Sequence, residues 1–124
     1  MSKLILSVLF SFLAATNAHS LNLSNFETPE SMQVDVETGA YYISNINGDK
    51  LAKDGNGYIS KITANGNTVI EKFIGGKPEN PLLHAPKGLA ILGKDIFVTD
   101  IDTVKVFDTK SRKLLRTMFQ RVMR

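Results

Sequence analysis

The chain of 124 residues contains no cysteine. Disulfides and thiolate metal sites are therefore excluded. Histidine is nearly absent, at His19 and His84 only. His84 has no Ser or Cys partner at a recognisable spacing, and no nucleophile elbow is present. No phosphate-binding or dinucleotide fingerprint occurs either. Gly75-Gly76-Lys77 lacks the upstream glycine spacing and the hydroxyl after the lysine that cradling a phosphate requires. Beyond residue 20 no apolar run approaches the roughly twenty residues that cross a bilayer. Aromatic platforms interleaved with basic residues, the equipment of single-strand binders, are missing too, so a nucleic-acid partner is not expected.

What is present begins with an export signal. Lys3 supplies a positive start, Leu4 to Ala15 is an uncharged apolar run, and Ala18-His19-Ser20 offers small residues at a cleavage site. Residues 1–20 are expected to be a secretory signal peptide, too short in its apolar part to anchor the chain. The expected location is secreted or periplasmic. Export without disulfides suits a bacterial periplasm better than a small eukaryotic secreted domain. The formal charge of +3 conceals a split. Residues 21–104 hold seven Lys/Arg against eleven Asp/Glu, whereas residues 105–124 hold seven against Asp108 alone. The body is mildly acidic and the end of the chain is basic.

Strand signals dominate the rest. SMQVDV (31–36), AYYISNI (40–46), YISKIT (58–63) and TVIEKFI (68–74) alternate or are rich in β-branched and aromatic residues. Glu37-Thr38-Gly39 and Ala64-Asn65-Gly66-Asn67 separate them as turns, the Asn-Gly pair being a strong hairpin signal because both residues tolerate positive φ. The same order then recurs in compressed form: GLAIL (88–92), DIFVTDI (95–101), TVKVFDT (103–109) and KLLRTMF (113–119). The copies align at Pro29 with Pro86, Tyr42 with Phe97, Ile43 with Val98, Ser44 with Thr99 and Ile62 with Phe107. The first copy carries an insertion, Asn47–Gly57, between its second and third strands. Such insertions lie in loops on one face of a repeat protein, often the binding face. A repeat of four short strands points to a β-propeller blade, although a closed propeller needs about four to eight. The expected fold is all-β, with two four-stranded antiparallel sheets as propeller-type blades. The expected divisions are an N-terminal linker at 21–28, a first blade at 29–75, an inter-blade loop at 76–85, a second blade at 86–119 and a basic tail at 120–124.

Two matched segments carry a family resemblance. Pro29-Glu30-Ser31-Met32-Gln33-Val34-Asp35 with Tyr41-Tyr42-Ile43-Ser44-Asn45, and Ala85-Pro86-Lys87-Gly88-Leu89-Ala90-Ile91 with Ile96-Phe97-Val98-Thr99-Asp100, resemble the gluconolactonase-like β-propellers. That family includes luciferin-regenerating enzymes and lies close to the NHL-repeat propellers. The resemblance covers about residues 27–118. It implies a divalent metal, often calcium, held at the propeller axis by Glu, Asn and Asp ligands from several blades. A hard cation wants about six to eight oxygen ligands, which converging strand starts can supply. Carried over, Glu30 beside the opening proline is the candidate metal ligand. Lys87 stands at the equivalent point of the second blade, where many members have Asn, and an ammonium offers no lone pair.

The other candidates are polar residues at strand ends. Asn45, Asn47 and Asp49 cluster after the second strand, and Asp100 and Asp102 at the matching place of the second unit. They are candidate ligand-facing residues, because loops held on a rigid scaffold carry binding sites. The competing reading is turn chemistry, since Asn and Asp bond their own backbone in tight turns. Lys53-Asp54-Gly55-Asn56-Gly57 imitates a calcium loop, but the key carboxylate positions of an EF-hand fall on Ala52 and Thr63. The run KLLRTMFQRVMR reads alone as a basic amphipathic helix and in register as a fourth strand. The functional expectation is a module that binds a small molecule or protein partner through its blade-end loops. The alternative implied by the resemblance is a calcium-dependent lactonase or esterase-like hydrolase, incomplete in this chain. Exposed sheet edges also invite self-association.

Overall fold

The structure, a computed structural model, describes residues 26–77 and 79–120. The expected signal peptide, most of the 21–28 linker and residues 121–124 of the basic tail lie outside the described residues. Eight strands form two antiparallel sheets. The first is β1 (Pro29–Val34), β2 (Tyr41–Asn45), β3 (Tyr58–Ile62) and β4 (Val69–Gly75), in that spatial order. The second is β5 (Pro86–Leu92), β6 (Asp95–Asp100), β7 (Thr103–Asp108) and β8 (Leu114–Phe119), again in chain order. The described residues contain no helix. Each sheet is a meander in which every strand pairs with its sequence neighbour, and each register is set by a short turn except between β2 and β3, which the insertion Asn47–Gly57 joins.

The turns follow from their residues. Gly39 and Gly66 adopt φ of 74° and 72°, a left-handed conformation that costs glycine little. In the Asn65-Gly66 turn only the glycine is left-handed. The Asn65 side chain instead accepts from the Thr63 hydroxyl at 2.7 Å and from the Asn67 N–H at 3.0 Å. The turn is therefore not the expected type with positive φ at both residues, because local side-chain bonds hold Asn65 on the ordinary side. The basic run near the C-terminus settles as a strand. Val104 opposes Met118 and Lys105 opposes Thr117, so β7 supplies a ladder that an isolated helix would forgo.

The core lies between the sheets. Tyr42, Ile59, Phe73 and Ile74 of the first sheet pack against Ile96, Val98 and Phe107 of the second, with Leu83 of the connecting loop among them. The Tyr42 and Phe73 rings meet at 5.8 Å between centroids, tilted by 55°, within the favourable range for aromatic pairs. Register identifies the faces involved. Ser31, Ser44 and Ile59 lie side by side, as do Gln33, Tyr42 and Lys61, and this face of the first sheet turns inward. In the second sheet the inward face carries Leu89, Val98 and Lys105 together with Ile91, Ile96 and Phe107.

The sequence repeat has a counterpart in hydrogen bonding. The Ser44 hydroxyl accepts from the Ser31 N–H at 3.1 Å. The Thr99 hydroxyl, at the matched position, accepts from the Gly88 N–H at 2.8 Å. Both bonds sit beside an irregularity in the first strand pair of their sheet. The hydroxyl satisfies an N–H that the bulge removes from the ladder.

Candidate functional site

The candidate site is at the rim where β1, β3, β5 and β7 begin and β2, β4, β6 and β8 end. The insertion after β2 and the loop between the sheets meet there. Glycine is required at the junction. A Cβ on Gly57 would strike the Pro86 ring and the His84 carbonyl, and one on Gly55, already at φ 73°, would strike Pro81. The Gly55 N–H donates to His84 Nδ1 at 2.9 Å. The Lys53 ammonium bonds the Asp102 carboxylate at 2.9 Å, and Lys87 Nζ donates to the Lys50 carbonyl at 2.9 Å. Lys87, set aside as a metal ligand from its chemistry, instead ties the insertion to β5.

Each candidate residue now has a place. Glu30 is exposed on β1 and borders a cavity of about 280 Å³ whose other walls are Phe26, Pro29, Ser31, Met32 and Ile43. No cluster of three His, Asp or Glu side chains able to hold a metal occurs among the described residues. Asn45 is fully buried and donates to the Ile43 carbonyl at 3.2 Å and to Ser60 Oγ at 3.0 Å. Asp100 is buried too, and its carboxylate accepts from the His84 and Ala85 N–H groups at 2.9 and 2.7 Å and from Lys105 Nζ at 3.1 Å. Asp100 faces the other sheet and ties the connecting loop to it, whereas Asn45 lies with Ile43 and Ser60 on the opposite face of its own sheet, buried there and bonded to Ser60. Asn47 has φ of 52° and donates to the Asn56 carbonyl at 3.0 Å. Asp49 accepts from the Leu51 N–H at 2.8 Å. Both act in turn chemistry. Asp102 lines a cleft at the rim.

That cleft measures about 210 Å³ and is lined by Lys53, His84, Asp102, Thr103, Lys105, Thr117 and Phe119. They come from the insertion, the connecting loop, the β6–β7 turn and the last two strands, and all but Phe119 carry a polar group. The turn bearing Asp102 is strained, because Ile101 adopts φ of 54°, an outlier for a β-branched residue. Three buried polar atoms near the same end of the first sheet, Asn45 Oδ1, Asn56 Oδ1 and the Tyr58 hydroxyl, have no hydrogen-bond partner among the described residues. Asn45 and Tyr58 oppose one another across β2 and β3.

The cleft presents hydrogen-bond donors and acceptors beside one another. His84 Nδ1 spends its lone pair on the Gly55 N–H, so the neutral ring carries its proton on Nε2. The buried serines of the first sheet are also committed: Ser44 Oγ donates to the Lys87 carbonyl at 2.6 Å, and Ser60 Oγ donates to the Glu71 carbonyl. Sequence reasoning missed Lys53, Thr103, Lys105 and Thr117. Only the fold brings them beside Asp102, and none stands in a motif.

The Lys53 ammonium holds the Asp102 carboxyl below its ordinary value of 3.8. Both side chains are more than half exposed, so the pair is solvent-screened. The Lys53→Ala variant is expected to leave the unfolding free energy close to that of the wild type, while its Asp102 titrates closer to 3.8 by carboxyl NMR. The sign follows from linkage. A depressed folded-state value stabilises above the unfolded value, so any difference between wild type and variant is present above about pH 4 and disappears as the pH falls.

No protein family, curated protein or solved structure matches the chain.

Proposed function

We propose that the chain is a pair of propeller-type blades, of the gluconolactonase-like kind, that binds a small polar ligand at the rim cleft after export. The observation that supports this reading most directly is the cleft itself. Lys53, His84, Asp102, Thr103, Lys105 and Thr117 converge on about 210 Å³ from separate segments. The exposed Lys53–Asp102 pair offers a donor and an acceptor side by side, and the Phe119 ring supplies an apolar wall. A few placed polar groups beside an apolar wall suit a small ligand that is oriented by hydrogen bonds.

Titrating the ¹⁵N-labelled protein with a panel of polyols and small hydroxycarboxylates tests the proposal. Amide shifts are expected to cluster at Lys53, His84, Asp102–Lys105 and Thr117, and Asp102→Ala is expected to weaken them at least several-fold. Shifts confined to other parts of the chain, or none across the panel, overturn it. The second reading is a calcium-dependent hydrolase with Glu30 as one ligand. It is favoured by the position of Glu30 beside the 280 Å³ cavity. A calcium-dependent rise in melting temperature that vanishes in Glu30→Gln would support it and would leave the rim-cleft assay unchanged.

A further inference from the structure

Four cations gather around Phe73 without a counter-ion. Arg112, in the β7–β8 turn, holds its guanidinium carbon 4.4 Å from the centroid of the Phe73 ring. Lys61 Nζ, from β3, stands 5.1 Å from the same centroid. Lys72 of β4 and Lys77 of the connecting loop line a cavity of about 160 Å³ together with Arg112, Asn80, Phe73 and Leu82. Among the described residues no carboxylate lines this cavity. Three ion pairs occur among those residues, and none of them takes up Lys61, Lys72, Lys77 or Arg112. Like charges held this close repel one another, and a bound anion removes that cost.

The fold positions these groups rather than leaving them loose. The buried Asp108 carboxylate accepts from the Lys110 and Ser111 N–H groups at 2.8 and 2.7 Å, and the Arg112 N–H donates to the Asp108 carbonyl at 2.8 Å. Phe73 is itself buried, so the Arg112 guanidinium rests on a fixed ring. A guanidinium stacked on a ring keeps its in-plane N–H donors available for a planar pair of oxygens. The Lys72 stem lies over Gly76, where a Cβ would stand only 2.8 Å from its Cδ. We propose that this cavity binds the phosphate group of a small soluble phosphate ester. Arg112 grips two phosphate oxygens in bidentate fashion, and Lys72, Lys77 and the Asn80 amide complete the shell. Phosphate suits the site better than a carboxylate because its charge near −2 answers three lining cations. Phe73 and Leu82 cover the ester carbons. The cavity shares no lining residue with the rim cleft, so the proposal does not depend on that cleft binding a ligand.

Titrating the ¹⁵N-labelled chain with glycerol phosphate at low ionic strength is expected to move the amides of Lys72–Lys77, Asn80 and Arg112 in a saturable way. Sulfate is expected to compete, acetate to bind more weakly, and the affinity to fall as salt rises. Arg112→Gln is expected to weaken binding at least about tenfold, the loss of one charge-assisted contact. Arg112→Lys, which keeps the charge but not the fork, is expected to weaken it less. Lys110→Gln removes a charge from the same turn without touching the cavity lining, and it is expected to bind like the wild type, as is Asp102→Ala. If the circular dichroism spectrum of Arg112→Gln departs from that of the wild type, Lys77→Gln in the exposed loop supplies the test, with weaker binding expected. Absent or unsaturable shifts, shifts confined to other residues, or equal weakening by Lys110→Gln would each overturn the proposal. So would binding to phosphatidylglycerol vesicles with none to the free ester.

Discussion

Gly57→Ala lowers the melting temperature by roughly 10–20 °C, the equivalent of about 3 kcal/mol in a domain of this size. The added methyl has no soft neighbour to push aside. It meets the Pro86 ring and the His84 backbone carbonyl, and the Gly57 carbonyl is itself bonded to the Gly76 N–H at 2.9 Å. Relief requires the insertion to lift away from the connecting loop. The Gly55–His84 and Lys53–Asp102 contacts are then lost with it, so ligand binding at the cleft is expected to fail at temperatures where the sheets are still folded. Gly93→Ala is the control. That glycine has φ of 59° but open space where a Cβ would lie, so only the left-handed backbone is penalised, at about 1 kcal/mol. Thermal melts of the two variants followed by circular dichroism check the difference.

Asp100→Ala costs about 3–5 kcal/mol, the usual consequence of removing one partner of a buried ion pair. It leaves Lys105 Nζ without its counter-ion and the His84 and Ala85 N–H groups without acceptors. The Lys105 side chain is itself mostly buried, with one bond to the Leu82 carbonyl at 2.7 Å remaining. The first sheet shows how the same place is filled without charge, because Asn45 and Ser60 occupy the positions matched to Asp100 and Lys105 and bond at 3.0 Å. The double variant Asp100→Asn with Lys105→Ser is therefore expected to be less destabilised than the sum of its single changes. Chemical denaturation of the four proteins in a double-mutant cycle measures the difference. A sum within error of additivity would mean that the two side chains act independently.

Much of the fold was legible in the sequence. Alternation marked all eight strands, with bounds within about two residues of those observed. The matched Ser44 and Thr99 proved to make the same hydrogen bond to the same point of their sheets. The candidate site was legible only in part. Asn45 and Asp100 sit at strand ends, as the pattern indicated, but both side chains are buried. An Asp that ends a strand looks the same in sequence whether it faces solvent or a buried lysine. Asp102 could be named as a candidate, whereas its cleft partners could not, because Lys53 and Thr117 lie far from it along the chain and next to it only through the fold.

Local properties were thus determined by the sequence alone: which segments are strands, where glycine lets the chain turn, and that one unit is written twice. Those rest on backbone sterics and on the two-residue period of side chains along a strand. Which face of each sheet is buried was decided only by the tertiary structure. Several inner strands are apolar on both sides, and a face becomes inner or outer only when a second sheet lies against it. The same packing made Lys87 a clamp on the insertion.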